Sequence, residues 1–418
     1  MKQRMITRRE FLRLSAMGAV GAAAAACGGQ QAPAPATSVP AAPAAEPTAA
    51  PAAEPTAVPP TAVPEAVKAT EAPAAVAGKY QEAPMLAELV QAGSLPPVDE
   101  RLPINPAIME SYEGIGNYGG NWRRGFKGVS DRWGPTKLVD RNWAWFDKDL
   151  NLQPRLMESW QVSDDGREWT IKLREGTKWS DGTEFTTDDF AFWYEHELQN
   201  KKINPSLPTV WRSDAETPVE FTAVDKYTAK FVFTKPKPML IYYNTRGGMG
   251  GPMTPSHYMR KFHEDTTDDK AAVDAEIKER GYDSWERYYV DYKSWWYMNP
   301  EKPVLSPWLA KGELSTELFI MERNPYFFAV DPEGKQLPYI DTVTHRLFES
   351  DEVLNLWLTN GEIDMQYRHL NLANLALYKS GEEKGDYKVV LSVNAGHVAM
   401  QINHSCKNPL LYELFNDL

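Results

Sequence analysis

Trp160-Gln161-Val162-Ser163-Asp164-Asp165-Gly166-Arg167-Glu168-Trp169-Thr170-Ile171-Lys172-Leu173, continued by Arg174-Glu175-Gly176-Thr177-Lys178-Trp179-Ser180-Asp181-Gly182-Thr183-Glu184-Phe185-Thr186-Thr187-Asp188-Asp189-Phe190, is the stretch that decides the fold. Ser163–Gly166 and Ser180–Thr183 have turn composition. Between them Trp169–Leu173 alternates apolar and polar residues, which predicts a half-buried strand. Thr186-Thr187-Asp188-Asp189 then supplies a helix cap. Phe190, Trp193, Tyr194 and Leu198 follow at i, i+3, i+4 and i+8, one face of an amphipathic helix. Strand, turn and capped helix in thirty residues point to α/β layering.

Working outward, Tyr118–Phe126 reads as a glycine-flanked strand. Phe221–Val224 and Tyr227–Phe233 pair as a hairpin across Asp225-Lys226. Ala271–Arg280 reads as a helix stopped by Gly281. Val353, Leu356 and Trp357 share one face of a helix ended by Asn360-Gly361. Val389–Val393 and Val398–Ile402 read as strands. No internal repeat is visible.

The chain has 418 residues, a formal net charge of −12 and 42% hydrophobic residues, enough for two or three domains with a sizeable core. The acidic balance, with no basic stripe beyond the extreme N-terminus, argues against nucleic acid as a partner. Its plain consequence is solubility.

Lys2, Arg4, Arg8, Arg9 and Arg13 form a basic leader, followed by a mildly apolar run from Leu14 to Ala26. Thirteen residues rise about 20 Å as a helix, short of a hydrocarbon core of about 30 Å, so residues 1–26 read as an export signal. Thr7-Arg8-Arg9-Glu10-Phe11-Leu12-Arg13 resembles the twin-arginine export motif. Ala24-Ala25-Ala26-Cys27-Gly28 resembles a bacterial lipobox, although it lacks the usual Leu. It implies cleavage before Cys27 and diacylglycerol on the Cys27 sulfur. Residues 28–78 are almost entirely Ala, Pro, Glu, Thr and Val, a tract that cannot pack a core. Extended at about 3.1 Å per residue, it would reach on the order of 150 Å as a stalk. Cys27 then has no disulfide role, and Cys406 stands as a lone thiol.

The opening segment closely resembles the signature of family 5 extracellular solute-binding proteins, the oligopeptide, dipeptide and nickel receptors of ABC importers. Glu322-Arg323-Asn324-Pro325-Tyr326-Phe327-Phe328, Leu337-Pro338-Tyr339-Ile340-Asp341 and Gly361-Glu362-Ile363-Asp364-Met365 follow in family order. The resemblance covers roughly residues 100–418. It implies an α/β, two-lobed periplasmic-binding-protein-like fold of type II with an inserted extra domain, closing on ligand as a hinged clamp. Residues 79–365 would form the first lobe, with the insert at about 145–250, and residues 366–418 would begin a second lobe that is mostly missing. Asn408–Asp417 looks like the start of a family segment that continues into a helix, so the expectation is a gene fragment or an interrupted reading frame. Such a fragment is expected to bind ligand poorly; micromolar binding would overturn this.

The resemblance further implies a monomeric, non-catalytic receptor without metal or cofactor. It would be anchored outside the cytoplasm by lipid and deliver peptides to permease subunits. An oligosaccharide receptor of the same family, or a surface sensor without transport, are the alternatives. Neighbouring permease and ATPase genes would favour transport.

Enzyme signals are weak. Gly-x-Ser-x-Gly, His-Glu-x-x-His and P-loop patterns are missing from the sequence, and Gly247–Gly251 lacks the Lys-Ser/Thr of a phosphate cradle. Asp331-Pro332-Glu333-Gly334 lacks the later ligands of a calcium loop. His404 and Cys406 could ligate metal. Paired carboxylates keep a glycoside hydrolase as the enzyme rival, but none stands out as a catalytic pair. A binding cleft needs aromatic walls and a few polar groups. By analogy with the family's path, Trp143 and Trp145 lie along the cleft, Tyr367 and Arg368 follow the crossover, and Gln401 and Asn403 enter the second lobe. Arg368 could pair with a ligand carboxylate, and the tryptophans could stack on side chains or sugar rings. The alternative for the tryptophans is core packing, and for Tyr367 and Arg368 a solvated surface.

Overall fold

The computed structural model describes residues 80–392 and 407–416, apart from 112, 132, 137, 139, 140, 215 and 246–250. Its strands in chain order are β1 (Ala107–Ile108), β2 (Asn121–Phe126), β3 (Ala144–Phe146), β4 (Leu152–Pro154), β5 (Met157–Val162), β6 (Glu168–Leu173), β7 (Glu220–Asp225), β8 (Thr228–Val232), β9 (Trp308–Ala310), β10 (Leu318–Arg323), β11 (Ala329–Val330) and β12 (Thr342–Leu347). They form two four-stranded sheets, ordered β2-β12-β10-β9 and β5-β6-β8-β7, and two small pairs, β1-β11 and β3-β4. Among the described residues, no helix is long and apolar enough to cross a membrane.

The second sheet is antiparallel throughout and follows from the opening stretch. Trp169, Ile171 and Leu173 of β6 are buried, whereas Lys172 faces out. Phe231 of β8 lies opposite Trp169 on one side and Phe221 on the other, so the inner face is a ladder of rings. On the outer face Lys172 pairs with Glu158, and Lys230 with Glu168.

The helix Thr187–Phe192 starts as its sequence predicts. Thr186 Oγ1 accepts from the Asp188 backbone N–H at 3.2 Å, and Asp189 Oδ2 accepts from the Thr186 N–H at 3.2 Å. The helix then widens into a π-type turn, Trp193–Leu198. Phe190, Trp193 and Leu198 are buried, and Tyr194 is half-buried against Phe221. Asp189 goes beyond capping. Its carboxylate is buried and accepts from Trp179 Nε1, the Ser256 N–H and Ser256 Oγ at 3.0, 2.9 and 2.7 Å. Burial raises its pKa despite these bonds.

The 145–250 stretch carries this sheet, yet its aromatic core does not stop there. The same cluster takes in Ala107, Leu305, Phe327, Phe328 and Ala329, so one core joins it to the flanking chain. The first sheet packs Phe126, Phe319, Met321 and Val343 against Trp296 and Tyr297.

Two expectations are corrected. On the helix Asp351–Thr359 the buried residues are Leu354, Trp357 and Leu358, while Val353 and Leu356 are exposed. Ser350 caps the helix in an orientation that turns Leu354 and Trp357 towards Phe348, Ile363 and Tyr378. Gly361 ends it at φ +72°, where an added Cβ would lie 2.8 Å from the Gly385 carbonyl oxygen. Residues 389–392 enter no strand ladder, and Val390 and Leu391 are exposed. The second expected strand, Val398–Ile402, lies outside the described residues.

Candidate functional site

Trp143 and Trp145 stand two positions apart and have opposite fates. Strand periodicity would place both on one face. The strand begins only at Ala144, however, and Trp143 sits at a bend, where its N–H donates to the Asn244 carbonyl and its carbonyl accepts from Arg155 and Met157. The bend sends the Trp143 indole inward. It is fully buried, stacked on Phe190 at 6.0 Å and packed against Trp211 and Phe231. Trp143 is therefore a core residue beyond the reach of a ligand, which corrects its assignment to the cleft wall.

Trp145 is 44% exposed. It lies on the outer face of the β3–β4 ribbon, directly opposite Gln153, while Ala144, Leu152 and Pro154 point inward. Phe146 supports it edge-on at 6.1 Å and in turn contacts Tyr242 at 6.1 Å. The ribbon's turn is tied by Asp147. Its Oδ1 accepts from the Asp149 and Asn151 N–H groups, both at 2.9 Å. Its Oδ2 accepts from Asn151 Nδ2 at 3.3 Å and Gln153 Nε2 at 2.9 Å. These bonds, led by the one from the Asn151 backbone, hold the Asp147 carboxyl below the usual carboxylate range.

The segment 364–369 runs along the free edge of β2. Asp364 N–H donates to the Arg123 carbonyl at 3.0 Å, and the Arg123 N–H donates to Asp364 Oδ2 at 2.6 Å. Two residues on, Gln366 repeats the pattern with its side chain. Its Oε1 accepts from Gly125 N–H at 3.1 Å, and its Nε2 donates to the Gly125 carbonyl at 3.3 Å. A strand edge that would otherwise be open is thus satisfied by two side chains and one backbone N–H.

Arg368 and His369 close the segment on Asp131, which is buried. Arg368 Nε donates to Asp131 Oδ1 at 2.6 Å, and His369 Nε2 lies 2.7 Å from Asp131 Oδ2. The charge of Arg368 is thus matched by a carboxylate of its own chain, which weakens its pull on a ligand carboxylate. Tyr367 is exposed. Cys27, Gln401, Asn403, His404 and Cys406 lie outside the described residues.

Asp131 and Gln153 escaped the sequence reading. Nothing local marks Asp131, whose partners lie 237 and 238 positions away. Gln153 was within reach, because the spacing Asp147, Asn151, Gln153 fits a short ribbon opposite Trp145.

Two other constellations prove structural. Atoms of His196, His263 and Asp265 lie within 4.8 Å of one another, a possible metal grouping. Yet the buried His263 ring uses both nitrogens, Nε2 towards the His196 carbonyl at 3.0 Å and Nδ1 accepting from the Asp265 N–H at 3.2 Å. No lone pair is left for an ion. Asp331 Oδ1 accepts from the Glu333 and Lys335 N–H groups and Oδ2 from Tyr339 Oη, so its carboxylate holds a turn.

The model of the family described as bacterial extracellular solute-binding proteins, family 5 (middle), matches residues 151–417. The periplasmic alpha-galactoside-binding protein of Rhizobium meliloti (strain 1021) is 28% identical over 294 residues, covering 64% of this chain and 39% of that protein. A probable ABC transporter-binding protein of Deinococcus radiodurans is 29% identical over 248 residues, 59% of this chain and 38% of that one. Among solved structures, an oligopeptide-binding protein OppA superposes with a TM-score of 0.71 at 38% identity, covering 81% of this chain and 54% of that chain. The periplasmic binding protein MelB of Agrobacterium fabrum C58, in complex with stachyose, superposes with a TM-score of 0.57 at 22% identity, over 77% of this chain and 49% of that one. The second superposition speaks to fold alone. The chain spans under two fifths of the length of these two curated relatives and about half of the two solved chains.

Proposed function

The chain belongs to the bacterial extracellular solute-binding proteins of family 5, and from that premise we propose that it is the receptor of an ABC importer, capturing peptides outside the cytoplasm for a membrane permease. The observation that carries the peptide reading is the likeness to an oligopeptide-binding protein, at 38% identity across 81% of the chain. Residues 79–365 supply the first wall of the cleft, and the chain enters the second lobe after Asp364. Trp145 and Tyr367 are the ligand-facing candidates that remain exposed, with Gln401 and Asn403 beyond them. The receptor acts as a monomer and carries out no reaction of its own.

Cys27 carries the lipid, and residues 28–78 hold the receptor off the membrane while keeping it near the permease. Several acyl chains on one residue anchor stably, whereas one does so only marginally. Mass spectrometry of the membrane fraction tests the anchor. A lipid-modified peptide beginning at Cys27 is expected, and a C27A chain recovered equally in membranes would contradict it.

A second reading, capture of an oligosaccharide, is favoured by the site. The cation available for a peptide carboxylate, Arg368, is matched by Asp131, while the aromatic surface at Trp145 is open. The capture reading is tested by ligand-observed saturation-transfer NMR, which registers contact at millimolar affinity. A saturable response to a member of a peptide and oligosaccharide panel is expected; no response to any member would sink it.

A further inference from the structure

The turn Ser180–Thr183 is stitched to the chain after Asn299. Ser180 N–H donates to the Val304 carbonyl and Val304 N–H donates to Ser180 Oγ, both at 3.0 Å. At this tie lies a cavity of about 320 Å³. Trp296, Pro303, Val304 and Leu309 give it apolar walls, and Asp181 and Lys302 give it polar ones. Asp181 is already partnered: its Oδ2 lies 2.7 Å from His257 Nε2, and its Oδ1 accepts from the Thr183 N–H at 3.0 Å. Lys302 is matched by no such charge. Its Nζ donates to the Ser294 carbonyl, a neutral acceptor, at 2.7 Å. The carboxylate that acts on it, Glu197, has both oxygens engaged by neutral donors, Tyr289 Oη at 2.8 Å and Thr254 Oγ1 at 2.7 Å. Arg141 acts on Lys302 as a like charge, and Arg141 Nε is itself buried with no hydrogen-bond partner among the described residues.

A lysine in such surroundings is poorly held as an ammonium. Burial, then Arg141, push the Lys302 pKa down to about 7 against the opposing pull of Glu197. Above neutrality the side chain is mostly a free amine with a lone pair, which an ammonium lacks. Arg141 stays charged, because burial lowers its pKa only to about 10. The same cation that disfavours a positive group at Lys302 favours a negative one. Carbon dioxide is a small, neutral electrophile that turns a free amine into an anion.

We propose that Lys302 is a carbamylation site, at which dissolved carbon dioxide adds to the side-chain amine and Arg141 favours the anionic product. The Nζ lone pair attacks the carbon of CO2, and a C–N bond forms. One C–O π pair becomes a lone pair on oxygen, and one N–H proton passes to a solvent base. Nothing is oxidised or reduced, and the step reverses when CO2 is withdrawn. The inference goes beyond solute capture and does not depend on which solute is captured. It makes the segment 294–304 responsive to dissolved CO2 through a change of charge.

The test is chemical trapping in the 418-residue chain. The chain is equilibrated with isotopically labelled bicarbonate at about pH 8, far below the pKa of an ordinary lysine. Triethyloxonium ion then converts any carbamate to a stable ethyl ester, which peptide mass spectrometry locates. Lys302 is expected to carry the label at roughly tenfold or more the occupancy of Lys202, an exposed lysine paired with Glu264. R141Q should lower the Lys302 occupancy by roughly threefold, since the free amine and the anion both lose the cation's help. At fixed pH and ionic strength, melting temperature should rise with bicarbonate in wild type and not in K302R, because the amine reacts in the native state. Mapping of the wild-type chain needs no variant, so it decides the matter even where a variant misfolds. Occupancy at Lys302 no greater than at Lys202 overturns the site. Undiminished occupancy in a folded R141Q chain overturns the part given to Arg141. A melting shift that survives K302R overturns the assignment to Lys302.

Discussion

Around β6 the chain is fixed by rings. Trp143, Trp169, Phe190, Trp211 and Phe231 are each fully or almost fully buried in one core, where Trp143 stacks on Phe190 and Phe231 packs against Trp211. Along the free edge of β2 it is fixed by polar pairs: Arg123 with Asp364, Gln366 with Gly125, and Asp131 with Arg368 and His369. Beyond that edge Met365, Tyr367, Leu372 and Leu377 are exposed. Burial of rings is non-directional and large, so it makes a rigid wall. Polar pairs at a surface fix geometry at little net gain and can be exchanged.

The largest effect should come from the ring side. W143A should cost about 3–5 kcal/mol, the range for truncating a buried Trp, and a loss below 1 kcal/mol in urea melts would show that the wall is not a single core. Trp145, two residues away, should cost little stability when truncated.

The first sheet adds a pH-dependent contrast. His345 on β12 is fully buried between Phe126 and Phe319, and among the described residues neither ring nitrogen has a hydrogen-bond partner. Burial, helped by Arg124, pushes its pKa down to about 3 from 6.5. The unfolded chain therefore binds a proton that the native chain refuses, and stability falls as pH drops from 6.5 towards 3. Above 6.5 the group contributes no slope. H345F should remove this part of the acid loss, on the order of a few kcal/mol at pH 3. Parallel curves for wild type and H345F between pH 6.5 and 3 would contradict the assignment.

On the polar side, D131A should cost about 2 kcal/mol, below the usual range for a buried pair because Arg368 and His369 keep 31% and 21% of their side-chain surface exposed. Hydrogen exchange should quicken along 364–369 and stay unchanged in β6 and β8. Equal quickening in both would erase the contrast. Smallest of all, R123A should cost about 1 kcal/mol or less and depend on salt, because both partners of its pair are exposed by a third or more.

The same contrast explains what could be read from the sequence. Alternation at Trp169, Ile171 and Leu173, and the cap at Thr186, are encoded within a few residues, so the second sheet and its helix were legible. The family segments carried the α/β class. The Asp131 latch was not legible, because charges far apart in sequence leave no periodic trace. Trp143 was misplaced for a subtler reason: its assignment followed the family's chain path, and a bend before a three-residue strand turns its ring into the core. On the helix Asp351–Thr359, two apolar faces compete, and the one that packs is chosen by Phe348 and Tyr378, which lie outside it.

Equilibrium dialysis of the 418-residue chain against a labelled panel of peptides and oligosaccharides tests the central claim most directly. A solute receptor should retain at least one member saturably and return it chemically unchanged. Retention of none, or recovery of a member as hydrolysed products, would contradict the account.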